Sequence, residues 1–451
     1  MNTVQVIDAP CGVGKTSWAI QNINEKEEDS FIFCTPFLDE IDRVRCSCGG
    51  YARFKEPLPY NGSKLDNFNE LLADGVDIAV THTTFLNATK ETLELIRTGN
   101  YTLIIDEVLD VITEFNKVQS VEDSPRQTVS KGDIKMLLEK NIIEIQDDYK
   151  VIWSGGDYGD DCKFSEVERF AKLNRLYCID GNFLLAVFPP ELFGYFKNVY
   201  ILTYMFGGSY FKYYFDLFGI EYELKSVAVQ ENNYYLTDYS DKEDMKIRSM
   251  CKHLISICDN KRMNDYRINT LSKSWYNNSK KDDRLKILKN NLRNYFERYL
   301  KNAKASNGDI MWTAFSDYED KLKGKGFTCE RSLSDEELRM SNEAKEAKLK
   351  ELSCFVPCNA RATNNYSRRW ALAYCVNMHY HPMTRRFFTD HNEERIKNGL
   401  EPINPNEELY ALSALIQWMF RSRIRKGQPI SIYIPNKRMR ELLIDWMNNK
   451  I

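Results

Sequence analysis

Three things are missing from this chain, and each absence removes a class of function. No stretch approaches the roughly 18 consecutive apolar residues that a membrane helix needs, so no membrane partner is expected. The opening MNTVQVIDAP has no basic segment followed by an apolar core, so it does not read as a secretion leader. With no export route in view, the 12 cysteines are expected to stay reduced in a cytoplasm. Their spacing agrees. Cys46 and Cys48 form a CxC and Cys354 and Cys358 a CxxxC, and neither has the second pair that a zinc frame uses. Histidine is scarce at 5 residues, and His379, His381 and His391 stand in no recognised metal pattern. Strong net charge is the third absence: a formal −3 does not announce a polyanionic partner.

The charge is instead uneven. Residues 246–304 hold 16 Lys/Arg against 5 Asp/Glu, a net of +11, which leaves the rest of the chain at −14. Such a segment on an otherwise acidic protein suits phosphates; a solvated basic surface is the plain alternative. Tyr266, Trp275, Tyr276, Tyr295, Phe296 and Tyr299 intersperse it and could stack on bases, although helical spacing favours packing for most. At 451 residues, 43% hydrophobic and 28% charged, the chain has material for two or three globular domains.

Short strand-like runs recur at 4–7, 31–35, 76–81 and 103–106, with helical composition between them at 16–24 and 90–97. Alternation of that kind predicts a parallel sheet, and ligands bind such sheets at the carboxyl ends of the strands. From about 116 to 190 the pattern loosens into a polar loop, a helix and a hairpin, expected to be an insertion in the first domain. A strand returns at 198–203, followed by a basic, mostly helical region. A second series comprises strands at 309–313 and 371–376, a long helix at 405–423, a strand at 430–434 and a helix at 437–447. The expected domains are therefore 1–225, with the insertion, and 226–451, with the basic helical region 246–304.

The strongest motif runs from Ala9 to Thr16, APCGVGKT, after an apolar strand and before a helical stretch. It fits GxxxxGK[ST] except that Ala9 takes the first position. Cys11, Gly12, Val13, Gly14, Lys15 and Thr16 would form the phosphate cradle. Gly12 and Gly14 let backbone N–H groups turn towards phosphate, Lys15 adds a point charge, and the Thr16 hydroxyl suits Mg²⁺. The next helix N-terminus adds its positive dipole end. The second motif is Asp106-Glu107 at the end of the apolar strand YTLII. Asp106 would hold the metal and Glu107 would orient water. Alone, an Asp-Glu pair also begins many helices as a cap; after a phosphate loop it points to ATP hydrolysis.

With these motifs in order, the sequence resembles the superfamily 2 helicases, the DEAD/DEAH-like group, and in particular compact bacteriophage helicases. The resemblance implies two RecA-like parallel-sheet domains with ATP between them and a nucleic-acid strand across their tops. It places Asp106–Leu109 (DEVL) at the DExx motif. It implies strand-backbone contacts by Thr35 in CTPF, by Thr83 and Thr84 in THTTF, and by Arg361 and Thr363 in ARATN. Loop capping is the plain alternative for the threonines. Thr203 in LTYMF stands where the family couples ATP to domain movement. Gln417-Trp-Met-Phe-Arg-Ser-Arg-Ile-Arg425 is similar to QxxGRxxR, with Phe420 and Ile424 departing from it. Gln417 and Arg421 are in register, and the second arginine is Arg423 or Arg425. Arg425 is favoured because four residues put it on one helical face with Arg421.

The resemblance implies an ATP- and Mg²⁺-dependent helicase or translocase on single-stranded or duplex nucleic acid, with DNA favoured over RNA and the choice between them left open by the sequence. Its setting would be phage replication or recombination in the host cytoplasm, alongside other replication proteins. The loop starts too early for an upstream adenine-reading glutamine, so base selectivity should be weak or come from elsewhere. The rivals are a terminase-like DNA-packaging ATPase, which would also need a two-metal acidic cluster, and a regulatory ATP switch.

Overall fold

The computed structural model describes residues 3–36, 38–59, 63–117, 128–157, 162–279, 283–300, 307–328, 352–358 and 366–451. Two compact units emerge: residues 1–9, 13–240 and 380–406 form one, and residues 10–12, 241–379 and 407–451 the other. The α/β class is as expected, with parallel sheets in both.

In the first unit β1 (Val4–Asp8), β2 (Phe31–Thr35), β3 (Phe54–Lys55), β4 (Asp77–Thr81) and β5 (Thr102–Asp106) come first. The chain then leaves the sheet for β6 (Ile112–Glu114), β7 (Ile143–Ile145), β8 (Val151–Trp153), β9 (Leu176–Ile179) and β10 (Phe183–Val187). It returns for β11 (Asn198–Thr203), β12 (Tyr222–Gln230) and β13 (Asn233–Asp238). The main sheet has eight strands in the order β13-β12-β1-β11-β5-β2-β4-β3. Every neighbouring pair is parallel except β12–β13. Strands such as β2 (FIFCT) and β5 (TLIID) are apolar along their length because a parallel sheet is covered on both faces. One face packs Trp18, Ala19 and Ile23 of the helix Lys15–Glu25 and Ile41 and Val44 of the helix Leu38–Ser47.

The insertion folds around its own core, in which Phe115, Ile134, Leu137, Val151, Phe170 and Leu176 are buried together. It contains the helix Lys131–Glu139, opened by a Ser130–Asp133 capping box, the β7–β8 hairpin, and an antiparallel sheet β6-β10-β9. The β12–β13 hairpin was not expected in a region read as mostly helical. Its turn residues Glu231 and Asn232 have φ of 51° and 68°, the left-handed pair that a tight hairpin requires. This hairpin carries the first sheet past residue 225.

In the second unit β14 (Ile255–Ile257), β15 (Ile310–Thr313), β16 (Ala371–Tyr374) and β17 (Ile430–Tyr433) form a parallel sheet in the order β14-β17-β16-β15. Tyr276, Tyr295 and Phe296 of the basic region are buried in its core, and Tyr266 and Trp275 pack against that core. Tyr295 stacks on Tyr433 at 5.3 Å and hydrogen-bonds Ser431 Oγ at 3.0 Å. These rings are therefore packing residues, while the helix Arg284–Asn294 buries Leu288 and Leu292 and turns Arg284, Lys286 and Arg293 outward.

Residues 380–406 follow β16 in sequence yet pack within the first unit. His381 stacks on Phe183 at 4.8 Å, Phe387 meets Tyr177 at 5.2 Å, and the Tyr380 hydroxyl donates to Gly208 O at 2.8 Å.

Candidate functional site

The site grows from the carboxyl ends of β1 and β5. β1 delivers the chain into the loop at Ala9, whose N–H bonds Thr203 O at 3.0 Å across to β11. Gly12 and Gly14 adopt φ of 90° and 103°, which only glycine takes without strain. At Gly14 there is a second reason: an added Cβ would stand 2.3 Å from Tyr234 Cε1. The helix Lys15–Glu25 then starts at Gly14, which has no side chain to cap it, and its N-terminus carries the positive end of the helix dipole. Lys15 Nζ turns back onto Ala9 O at 2.5 Å, and the lysine thereby closes over its own loop.

On the neighbouring segment, Asp106 Oδ1 lies 3.4 Å from Thr16 Oγ1. Two oxygen donors this close can share one hard cation, and Mg²⁺ commonly takes one or two protein oxygens and fills its octahedron with water and phosphate. Among the described residues no group of three or more His, Cys, Asp or Glu is arranged to hold a metal. Burial pushes the Asp106 carboxyl up to about 7; Glu107 and Glu40 push the same way, and Lys15 and Arg43 pull it down. A carboxylate that is costly to ionise without a cation is a good place to put one.

Glu107 has φ of 64°, a rare conformation for a residue other than glycine. The peptide that joins it to Asp106 is gripped from both sides. The Glu107 N–H donates to Leu202 O at 2.9 Å, and His82 Nε2 donates to Asp106 O at 3.0 Å. The strained residue is therefore held in place by β11 and by the helix His82–Leu86.

The residues expected to contact a strand are placed unevenly. The Thr35 side chain is buried at the end of β2, and its hydroxyl has no hydrogen-bond partner among the described residues. Thr84 is buried and its N–H and hydroxyl meet Thr81 Oγ1, so it serves the helix cap, whereas Thr83 is exposed. Arg361 and Thr363 lie outside the described residues. In the second unit Gln417 sits on the helix Glu407–Met419 and bonds Ser413 Oγ at 3.3 Å.

That helix stops at Met419 rather than continuing to 423. Ser422 is extended, its hydroxyl donates to Met419 O at 2.7 Å, and the Arg423 N–H turns away to Arg369 O. Arg421 and Arg425 consequently do not share an α-helical face. Arg421 is buried and Arg425 is exposed in the turn Arg423–Lys426. Arg423 bonds Pro429 O at 2.6 Å and lies over the Trp370 ring.

Several residues at this site were missed from the sequence. Glu40 and Arg43 pair at 3.1 Å and bear on Asp106; their spacing in the helix after β2 was the available signal. Asp8 Oδ2 accepts the Phe206 N–H at 3.0 Å, which ties the strand before the loop to the segment after β11. His82 and Tyr234 had no signal, because both depend on pairings between distant strands.

Three kinds of similarity accompany this geometry. Residues 249–447 match the family model described as the YonV C-terminal Rossmann-like domain, and residues 125–186 match the YonV middle domain. The SPbeta prophage-derived uncharacterized protein YonV of Bacillus subtilis (strain 168) is 35% identical over 466 residues, covering 100% of both chains. Among solved structures, one named XPD_APO is 13% identical, covers 99% of this chain and 96% of its own, and gives a TM-score of 0.48. Another, of S. tokodaii Xpd4, is 12% identical with 98% and 94% covered and a TM-score of 0.42. Likeness at that level speaks to neither chemistry nor substrate.

Proposed function

This chain belongs to the YonV family, and we propose that it is an ATP-dependent translocase or helicase acting on nucleic acid, DNA before RNA, in phage replication or recombination. The observation that carries the reading is the meeting of Lys15, Thr16, Asp106 and Glu107 at one end of one parallel sheet. The prophage origin in the relative's name supports a DNA setting.

In this reading the backbone of Cys11–Thr16 cradles the β-phosphate and Lys15 leaves Ala9 O for the phosphate oxygens. Thr16 and Asp106 would hold Mg²⁺, which when bound would neutralise charge on the phosphates. Glu107, fixed by its gripped peptide, accepts a hydrogen bond from the attacking water and aligns it. Arg421 and Arg425, with Gln417 beside them, are assigned to the γ-phosphate charge, where such arginines contribute roughly 10³–10⁵ in rate in related enzymes. Exposed Thr83 and the cations of 246–304 are assigned to the strand's phosphates, as are Arg361 and Thr363. Thr35 is retained only through its backbone, since its side chain is buried.

The test is ATP hydrolysis by the full chain with and without single-stranded DNA, duplex DNA and RNA, followed by strand displacement on tailed duplexes. Stimulation by a strand supports the motor. Hydrolysis indifferent to every nucleic acid would favour a regulatory switch, and metal-dependent DNA cleavage would favour a packaging enzyme.

A further inference from the structure

Arg175 stands immediately before β9 in the inserted domain and is 4% exposed. Burial lowers its guanidinium to about 10, so it remains a cation at neutral pH. A buried cation must be compensated, and this one is compensated by main-chain carbonyls. Nε reaches Val187 O at 3.4 Å inside the insertion, while Nη1 reaches Ala88 O at 3.1 Å and Nη2 reaches Leu86 O at 2.6 Å. Phe170 and Phe188 flank it at 5.1 and 5.6 Å. An apolar side chain would fill such a site at lower cost. What the guanidinium adds is a rigid fork that binds two pieces of chain, one in the inserted domain and one in the main sheet's connections.

Leu86 ends the helix His82–Leu86, and the first residue of that helix is His82, whose ring holds Asp106 O. Arg175 therefore grips one end of a five-residue helix, and the other end grips the Asp106–Glu107 peptide. Exposed Thr83 lies between them on the same helix. We propose that Arg175 is a positioning residue for Glu107, and that through it the inserted domain sets the turnover of the ATPase. This rests on the hydrolytic function proposed above. A tilt of the short helix would move the His82 ring, release one side of the peptide and let the left-handed Glu107 relax away from the water it aligns.

The experiment uses the full chain with ATP, Mg²⁺ and saturating single-stranded DNA. Arg175→Met keeps the apolar stem and loses the fork; His82→Gln keeps a donor towards Asp106 O, and His82→Ala loses it. Arg175→Met and His82→Ala should each lower kcat about 10-fold or more, with KM for ATP within about threefold, because the geometry is disturbed and phosphate binding is not. His82→Gln should restore most of the rate. The double variant Arg175→Met/His82→Ala should be no slower than the slower single, since both cut one linkage. An unchanged kcat in Arg175→Met, or losses that multiply in the double variant, would overturn the proposal. Should Arg175→Met not fold, the His82→Gln and His82→Ala pair decides alone: equal rates for the two overturn the linkage. A wild-type chain with no hydrolysis would instead sink the function itself.

Discussion

Thr16 Oγ1 stands 3.4 Å from Asp106 Oδ1 although 90 positions separate them in sequence. β11 lies between their strands in the sheet, so the two side chains meet beyond the strand ends. Such a meeting brings the end of the loop and the acidic pair together, as the proposed cation site would require.

The lysine is the first point of test. Lys15→Ala removes the point charge proposed for the β- and γ-phosphates and leaves a loop whose shape is set by Gly12 and Gly14. ATP turnover should fall by at least about 100-fold, while circular dichroism and the melting temperature stay near those of the parent. Wild-type turnover in a folded Lys15→Ala protein would mean that the loop does not serve hydrolysis.

Glu107→Gln separates binding from chemistry. The side chains match in shape, and the gripped peptide is untouched, so ATP should still bind. Hydrolysis should drop by about 10²–10⁴, the usual worth of a positioned base. A filter-binding measurement with labelled ATP beside a phosphate-release assay distinguishes the two effects. Loss of both together would make Glu107 a structural residue.

Much of this was legible in the sequence, and the reason is locality. The phosphate loop and the β5 carboxylates each sit in one continuous stretch, with a buried strand to declare them. The β12–β13 hairpin was not legible, because its turn is Glu231-Asn232 and its strands mix Tyr, Asn and Lys without clean alternation. Tyr234, which packs on Gly14, went unseen with it. The end of the helix at Met419 was hidden for another reason. Ser422 stops it locally, its hydroxyl donating to Met419 O and accepting the Ile424 N–H, and Arg369 O of a distant segment takes the Arg423 N–H; a lone serine in a helical pattern does not announce either bond. Residues 380–406 were read with the second domain because neighbours in sequence usually stay together, yet aromatic contacts hold them to the first unit.

Asp106→Asn should stabilise the metal-free protein while abolishing turnover. In the parent the folded state holds the Asp106 proton up to about 7, whereas the unfolded chain releases it near the ordinary carboxylate value. Between those limits the folded state binds more protons, so stability falls as pH rises. The asparagine lacks that penalty. Its melting temperature should match the parent's near pH 4, exceed it increasingly towards pH 7, and hold a constant lead of a few degrees above that. Melting curves without Mg²⁺ across this range check the sign; a lead that shrinks as pH rises would contradict the assignment of burial as the cause.

Gly14→Ala tests the loop's geometry. A residue with a side chain at φ of 103° costs about 1–3 kcal/mol in strain, and its Cβ would strike Tyr234 Cε1 at 2.3 Å. Pairing the change with Tyr234→Ala removes the clash and leaves the strain. Chemical denaturation should show the double variant recovering part, and not all, of the lost stability relative to Tyr234→Ala alone. Full recovery would mean that the backbone tolerates the substitution and only the ring objects.

The basic surface of the second unit gives the last prediction. Lys261, Arg262 and Arg267 are exposed, and Tyr266 among them packs against the core, while Tyr299 is exposed with its hydroxyl donating to Asp259. The side chains of the three cations are exposed, so the triple change to alanine should leave the melting temperature unaltered. If they neutralise strand phosphates, each releases counterions on binding. The slope of log K against log salt for single-stranded DNA should then become shallower by about 0.7 for every phosphate no longer neutralised, up to about 2 in all. Weakening should be similar across unrelated sequences, because phosphate contacts carry no base information. Fluorescence anisotropy over a series of salt concentrations measures both. An unchanged slope would move the strand away from this surface and return the +11 segment to the plain reading of a solvated basic face.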